Sequence, residues 1–390
     1  MDVQSILAIV FVIVLTLFLY LKRDKLVIQK ILYPIFYFIM YRTKFGLKLM
    51  DKIAGRFGRA IRFVAIFGVI IGFVGMAFIS YELISATITL FTTPEAPASI
   101  KPVLPFQAKG VFFVPFLYWI TSIFVIAIIH EFSHGVVARA FKIPVRSSGF
   151  AFFGIILPII PAAFVEPDEK KLSRHPAREQ LAVFAAGPFS NILTAGILFL
   201  LVLFIVNPFA ETLLHLTGVK ATAITENGPA QSAGMQAGEL ITAINGQQIT
   251  NVQNFTNTLA QLKPRTKITI TTNATTRTIT LTSHPKDAAK AYIGLSVSQG
   301  TEIKQSFKQT YGEKTAALII WAFGLIYWLL LLNLGIGMFN LLPIGPVDGG
   351  RMLLLALQSW NQKKGQFAWK IISIFFMFLI LGNLAIGFIK

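Results

Sequence analysis

The chain has 390 residues, of which 55 % are hydrophobic and only 13 % are charged, about half of the roughly 25 % charged share of a soluble protein. So little charge cannot cover a water-facing surface, which excludes a soluble globular protein, a disordered chain and a coiled coil. The sequence has no cysteine, and this excludes disulfides, thiolate metal sites and a cysteine nucleophile. Most of the chain is therefore expected to lie in lipid.

The net charge of +18 is concentrated in short stretches beside apolar segments. Eleven Lys and Arg lie between residues 22 and 62, six lie between 142 and 178, and four more lie between 351 and 370. This pattern orients membrane helices with their basic loops toward the cytoplasm, and it excludes nucleic acid as the partner.

Six apolar segments are long enough to be interpreted as membrane crossings, since a spanning helix needs roughly 20 mainly apolar residues. The predicted crossings are Ser5–Tyr20, 63–90, 111–141, 181–206, 316–342 and 367–389. With an external N-terminus, six crossings put all the basic stretches on one side and residues 207–312 on the other. A multi-pass plasma-membrane protein is expected, with a cytoplasmic basic side.

Two further apolar stretches do not fit a crossing. Residues 26–41 are interrupted by Lys30 and Pro34 and flanked by bases, which favours an interfacial helix. Residues 149–165 are broken by Gly149, Gly154 and two prolines. Non-helical backbone at membrane depth is tolerated only where protein or a water cavity satisfies it, so this stretch predicts a re-entrant β-like loop.

Residues 215–300 differ from the rest in composition. Period-2 patterns at Lys267–Thr272 and Thr276–Thr282 predict strands, and Asn245-Gly246 predicts a hairpin turn. The segment is predicted to be a small β-rich domain on the external side.

The third apolar segment contains His130-Glu131-Phe132-Ser133-His134. On a helix, residues i and i+4 share a face, so both imidazoles can reach one zinc ion while Glu131 serves as general base. A chance HExxH at a solvated helix end is the alternative. Ionisable groups inside a membrane helix are costly to bury, which favours the metal site.

Two histidines leave zinc short of a third protein ligand, and Asp348 is the acid that stands out. It lies in the run NLLPIGPVDGGR (340–351), where Pro343 and Pro346 prevent a regular helix from continuing. Such a broken element can present a carboxylate to the protein interior. The alternative is an Asp that caps the next helix.

These motifs together resemble those of the site-2 protease family of intramembrane zinc metalloproteases. HExxH is followed by Ala185-Ala186-Gly187-Pro188-Phe189-Ser190-Asn191, similar to the family's GPxxN, and then by the NxxPxxPxDG run ending at Asp348. The run GPAxxAGMxAGELITAINGQ (228–247) resembles a PDZ domain. The resemblance covers about residues 111–360 and says little about the two leading segments.

The resemblance implies one zinc ion per chain, held by His130, His134 and Asp348, with Glu131 as catalytic base. It implies that Asn191 and Asn340 hold substrate or stabilise the oxyanion, although hydrogen bonding between helices is the alternative for both. It further implies that the loop containing Gly149 and Gly154 pairs with extended substrate. The partners implied are transmembrane protein substrates, the lipid bilayer and an upstream site-1-type protease.

The expected architecture is an α-helical polytopic membrane protein with an inserted α+β PDZ-like domain that filters substrates. Its expected parts are an N-terminal anchor region (1–110), a first catalytic half (111–206), the PDZ-like domain (215–300) and a second catalytic half (313–390). The expected function is zinc-dependent cleavage of peptide bonds in or near transmembrane helices. A catalytically inactive scaffold and a metal-dependent transporter are the alternatives.

Overall fold

The computed structural model describes residues 3–32, 36–93, 100–155, 157–284 and 287–389. The chain divides into two compact units, of which the first comprises Met1–Val202 with Ala322–Lys390 and the second comprises Leu203–Trp321. Each unit has its own buried core.

The N-terminal part of the first unit alternates helices with pairs of strands. Its elements are α1 (Val3–Leu21), β1 (Leu26–Leu32), β2 (Phe36–Thr43), α2 (Leu47–Thr92), β3 (Val103–Leu104), β4 (Phe112–Phe113), α3 (Phe116–Ala140), β5 (Val145–Ile155), β6 (Leu157–Pro167), α4 (Glu169–Leu172) and α5 (Ala177–Leu201).

The second unit is built mainly from strands. Its elements are α6 (Asn207–Leu213), β7 (Leu214–Ile224), α7 (Pro229–Ser232), β8 (Leu240–Ile244), β9 (Gln247–Gln248), α8 (Val252–Ala260), β10 (Lys267–Thr272), β11 (Thr276–Thr280), β12 (Thr282–His284), β13 (Asp287–Tyr292), β14 (Leu295–Ile303) and α9 (Gln305–Tyr311). Helix α10 (Glu313–Phe339) then leads back into the first unit, which ends with α11 (Asp348–Trp360) and α12 (Gln362–Ile389).

Five helical segments of the described residues are long and apolar enough to cross a membrane. They are Leu47–Thr92, Phe116–Ala140, Ala177–Leu213, Glu313–Phe339 and Gln362–Ile389. The chain is thus a multi-pass membrane protein. The first predicted crossing, Ser5–Tyr20, is helical, but its apolar part, Ile6–Leu21, is shorter than these five segments, so this crossing stays a prediction.

The interfacial helix predicted for residues 26–41 is wrong. The segment forms the antiparallel pair β1–β2, and β2 pairs in turn with β5 from Thr43↔Ser148 to Phe36↔Ile155. Residues 33–35 lie outside the described residues. Aromatic and β-branched residues are common here and favour strands once a partner is present, but that partner lies more than 100 residues further along the chain.

The predicted re-entrant stretch is a β-hairpin, β5–β6, with residue 156 outside the described residues. The four strands form one sheet in the order β1-β2-β5-β6. Pro158 and Pro161 lie in β6, which suits an edge strand because proline cannot donate to a neighbour. The stretch is non-helical, as expected from its Gly and Pro content.

The core of the first unit lies where α2, α3, α5 and α11 pack together. Small buried side chains such as Ala138, Ala182 and Ala185 bring these helices close, and Met352 of α11 fills the space between them. This core packs around the C-terminal half of α3, which carries His130 and His134.

The second unit is organised around a sheet in the order β11-β10-β8-β7-β14. The predicted strand 267–272 is β10, and the predicted turn is present: Asn245 and Gly246 both have positive φ, at 50° and 78°. This conformation is that of a type I′ hairpin turn between β8 and β9.

Candidate metal centre

Helix α3 places the two predicted imidazoles one turn apart. The ring centroids of His130 and His134 are 4.9 Å apart, and both residues are buried, with exposed fractions of 8 % and 9 %. Because the spacing is i and i+4, both Nε2 atoms leave the helix on one face.

Asp348 reaches this pair from a distant part of the chain. Its Oδ2 lies 3.0 Å from Nε2 of His130 and 3.3 Å from Nε2 of His134. The predicted convergence is therefore present in the structure. Asp348 begins α11 without making a side-chain cap bond, so the alternative of an N-terminal cap is wrong.

The turn between α10 and α11 explains why the Asp is followed by glycine. The N–H of Gly349 donates to the carbonyl of Asn340 at 2.7 Å, which folds the start of α11 back on the end of α10. A Cβ at Gly349 would collide with the carbonyl of Leu341. Only glycine permits this approach, which carries the Asp348 carboxylate to the imidazoles.

The donor set fits zinc. Ligand atoms about 2.0–2.1 Å from a tetrahedral zinc ion lie about 3.3 Å from one another, close to the two distances to Asp348 Oδ2. One ligand atom from each of His130, His134 and Asp348 lies within 4.8 Å of the others. Two imidazoles and one carboxylate leave a fourth position for water or substrate, as in catalytic zinc sites.

Both imidazoles are oriented through their other nitrogen. Nδ1 of His134 lies 2.6 Å from the carbonyl of Val183, and Nδ1 of His130 lies 3.1 Å from Nδ2 of Asn191. Zinc-binding histidines need such partners because a bond at Nδ1 fixes which nitrogen is free for the metal.

The side-chain amide of Asn191 forms only some of the hydrogen bonds that it could form. Asn191 is fully buried, and its Oδ1 has no hydrogen-bond partner among the described residues. If zinc takes Nε2 of His130, the proton lies on Nδ1, and a half-turn of the Asn191 amide would then let Oδ1 accept it. The site thus holds an acceptor suited to a metal-bound His130.

Gly187 of α5 leaves the space in which a metal would lie. A Cβ at this position would collide with Nε2 of both His130 and His134. Because Gly187 has no side chain, open space remains next to the two Nε2 atoms. This space is a second feature that fits a bound metal ion.

Glu131 lies beside the ligands and contacts the sheet. Its Oε2 accepts the N–H of Val165 in β6 at 2.9 Å. It also lines an apolar cavity of about 500 Å³, together with Phe132, Met50 and Phe164. The carboxylate is thus held between the histidine pair and a cavity large enough for a peptide segment.

The other predicted residues, Asn340, Gly149 and Gly154, make contacts with groups other than the ligand atoms. Nδ2 of Asn340, which follows the end of α10, donates to the carbonyl of Ile336 in that helix at 3.0 Å. A Cβ at Gly149 would collide with the carbonyl of Tyr41, so this glycine permits close pairing of β5 with β2. Gly154 pairs with Tyr37 and Pro158 through the backbone. Substrate binding by these residues stays a prediction.

Sequence reasoning missed the roles of Val165, Val183 and Gly187. Two of these contacts use backbone atoms, which carry no residue signature. Gly187 was identifiable because it belongs to the GPxxN run, but its approach to the imidazoles requires the packing of α5 on α3.

Comparison with known proteins identifies the family. Residues 118–382 match the family described as Peptidase family M50. An uncharacterized protein of Methanocaldococcus jannaschii is 28 % identical over 385 residues, covering 97 % of this chain and 93 % of that protein.

Two relatives whose names state a protease activity match a smaller part of this chain. The zinc metalloprotease RasP of Geobacillus kaustophilus is 25 % identical over 240 residues, covering 51 % of this chain and 55 % of RasP. The probable protease eep of Enterococcus faecalis is 23 % identical over 216 residues, covering 46 % of this chain and 50 % of eep. The chain thus matches about half the length of each.

Among solved structures, the PDZ domain of an SdrC-like protein from Listeria monocytogenes is 24 % identical and covers 21 % of this chain and 87 % of that domain, with a TM-score of 0.19.

The family match spans more than half of the chain and includes both histidines, Glu131 and Asp348. The chain therefore belongs to peptidase family M50 and is a zinc metalloendopeptidase.

Proposed function

We propose that the chain cleaves peptide bonds in or near the transmembrane helices of membrane proteins. The observation that carries this proposal is the position of Glu131, which lies between the His130–His134 pair and the apolar cavity and bonds to β6. These groups belong to or adjoin a helix that is long and apolar enough to span a membrane.

The cavity suits an unwound apolar segment. Its lining includes Ile128, Phe132, Phe150 and Phe164, with Glu131 as the acidic group. A peptide bond inside a helix is shielded by its own hydrogen bonds, so a substrate must be locally extended before hydrolysis. Apolar walls would replace the lipid contacts that the extended segment loses.

The β6 strand supplies an edge on which an extended substrate can pair. Within the described residues β6 pairs with β5 on one side, while the N–H of Val165 points to Glu131 on the other. Residues two apart in a strand direct their backbone groups to the same side, so Ala163 shares this edge. Strand addition here would place the substrate backbone next to the catalytic base.

The chain's own residues divide the catalytic work. His130, His134 and Asp348 would hold zinc, which when bound supplies a Lewis acid that makes water a competent nucleophile at neutral pH. Glu131 takes the proton from the attacking water and passes it to the leaving amine nitrogen. The N–H of Val165 orients the Glu131 carboxylate for this transfer.

We retain the proposal that Asn191 acts in catalysis and that Asn340 binds substrate, and each amide also has a contact within the protein. Before substrate enters, Asn191 orients the imidazole of His130, because its amide is fully buried and contacts that ring. Asn340 secures the end of α10 and with it the turn that carries Asp348. Contact of either amide with the substrate carbonyl requires movement after substrate enters.

The second unit is proposed to be a PDZ-like filter on the external side, with the basic segments in the cytoplasm. Positive charge concentrated in residues 22–62 and 142–178 supports this orientation, because basic loops remain on the cytoplasmic side. A bulky external substrate domain would then be excluded until an upstream site-1-type protease trims it.

The test uses the full chain in liposomes with a model single-span substrate. Wild type should cleave it, whereas Glu131→Gln should retain zinc and lose cleavage, because glutamine can still accept from Val165 but cannot take a proton. Glu82→Gln, an exposed glutamate in α2, is the matched control and should cleave normally. Equal cleavage by Glu131→Gln, or no cleavage by zinc-loaded wild type, would reject the proposal.

A further inference from the structure

A cavity lined by basic side chains lies where the basic ends of α2 and α3 meet, apart from the metal centre. Its volume is about 750 Å³. Five of its lining residues are cationic and one is acidic: Arg56, Arg59, Arg62, Arg139, Lys142 and Asp51. Such an excess of positive charge around one concavity is suited to an anion.

A break in α2 creates this cavity. Phe57 has non-helical backbone angles, φ −116° and ψ 16°, within a helix that otherwise runs from Leu47 to Thr92. Gly55 and Gly58 flank the break, and a Cβ built on Gly55 would meet nothing within 4 Å. The kink and the absent side chains leave open space in front of the basic residues.

Two of the five cations are already held by the protein. Nη1 of Arg62 donates to the carbonyl of Ala140 at 2.9 Å. Arg139 pairs with Asp51 at 3.3 Å and donates to the carbonyl of Val145 at 3.0 Å. These bonds fix the wall of the cavity and use its one carboxylate.

The remaining three cations have no carboxylate partner within the described part of the chain. Among the residues that the structure describes, none forms an ion pair with Arg56, Arg59 or Lys142. The guanidinium of Arg56 lies over the ring of Phe57, 5.4 Å from its centroid. Three exposed positive groups thus surround one cavity without neutralisation.

Lys142 occupies a position that normally favours glycine. It has φ 62° and follows the end of α3, where its N–H bonds to Arg139 and the N–H of Ile143 bonds to Ala138. This is the Schellman arrangement, in which glycine is usual because it has no Cβ. The strained backbone keeps a lysine at the cavity, which indicates that its charge has a use there.

The surroundings point to a lipid rather than a free ion. Phe57 and Phe63 expose 53 % and 77 % of their surface beside the arginines, and residues 63–79 of α2 contain no charged side chain. A change from basic to apolar side chains along one helix marks the membrane–water interface. A ligand here can place its phosphate among the arginines and its hydrocarbon along the exposed aromatic face.

We propose that the α2–α3 cavity binds the phosphate headgroup of an anionic phospholipid, with Arg56, Arg59 and Lys142 as the ligating cations. The site is distinct from the zinc ligands, but Arg139 and Lys142 lie at the end of the helix that carries His130 and His134. A bound lipid would therefore hold that end of α3 at a fixed depth.

The test measures lipid binding to the full chain in a neutral detergent. Dioctanoyl phosphatidylglycerol, phosphatidylcholine with the same chains and inorganic phosphate are titrated separately. Phosphatidylglycerol should bind saturably at one site per chain and weaken as salt is raised, whereas the other two probes should bind far more weakly. Arg56→Gln with Arg59→Gln should weaken phosphatidylglycerol binding about thirtyfold.

Two further variants make the result decisive. Lys363→Gln with Lys364→Gln removes two exposed charges outside the cavity and should leave binding unchanged. Lys142→Gly removes a ligating charge while suiting the positive φ, so it should weaken binding without unfolding the chain. Equal phosphatidylglycerol affinity in all variants would overturn the site, and inorganic phosphate binding as tightly as the lipid would overturn its assignment to a lipid.

Discussion

Asn191 of α5 and His130 of α3 meet inside the protein, with Nδ2 of the amide 3.1 Å from Nδ1 of the imidazole. Asn191 has no exposed surface, and its Oδ1 has no partner among the described residues. The amide is therefore positioned to control which nitrogen of His130 faces the metal, and its contribution is measurable as zinc affinity.

Asn191→Ala is expected to weaken zinc binding by about 10- to 100-fold, the usual effect of losing a residue that orients a metal ligand. Asn191→Asp should restore much of the affinity, because a carboxylate also accepts from Nδ1–H. Competition with a chelator gives the affinities. Asn333→Ala is the matched control, since Asn333 is equally buried but bonds to its own helix. Wild-type zinc affinity in Asn191→Ala would contradict this role.

Gly187→Ala is expected to abolish stoichiometric zinc binding. The added methyl would contact Nε2 of both His130 and His134, where the ion must lie. Gly196→Ala, on the same helix, adds a methyl in open space and should bind zinc normally. Elemental analysis of the two purified variants compares their zinc content directly. Full zinc content in Gly187→Ala would show that the metal does not lie in the space next to Gly187.

Asp348→Ala should lose zinc and turnover together. The change removes the carboxylate that meets both Nε2 atoms and leaves only two protein ligands. His134→Ala should also lower zinc content. Asp24→Ala serves as the control for loss of a negative charge. Retained activity in Asp348→Ala would require another third ligand.

Removing the strand-rich insert should change selectivity more than chemistry. In the β7–β14 pair, Leu214 lies opposite Ile303, so the ends of residues 215–302 are neighbours. An Asn-Gly turn can join them, because two residues suffice for a hairpin. The shortened chain should still cleave a substrate without an external domain and should now accept one with a bulky domain. Loss of all cleavage, with zinc retained, would indicate that the insert supports the fold.

Much of the metal centre was predictable because its ligands are ionisable side chains, which are rare in apolar membrane helices. His130, Glu131 and His134 stand at helical spacing in an apolar helix, and Asp348 follows a Pro-broken turn. These side chains are costly in a membrane unless they are used, so their pattern is informative in the sequence itself. The structure brings the three predicted ligands together.

The sheet was harder to predict because its pairing is non-local. Phe36–Thr43 is a strand through its register with β5, and nothing within residues 26–41 reveals that partner. A helix was predicted there from charge and apolar content, and tertiary pairing overrode the local pattern. The kink at Phe57 was not predicted either, because Gly55 and Gly58 in a basic stretch do not by themselves locate a break in a helix.

The pairing of β2 with β5 also has a consequence for biogenesis. Residues 36–43 leave the ribosome well before residues 148–155, with α2 and α3 synthesised in between. Until both helices are inserted, the outer edge of β2 has no neighbour, and unpaired backbone is poorly tolerated in hydrocarbon. Closure of the sheet therefore follows the insertion of α2 and α3. A nascent chain would thus remain inactive as a protease at least until residues 148–155 have paired with β2.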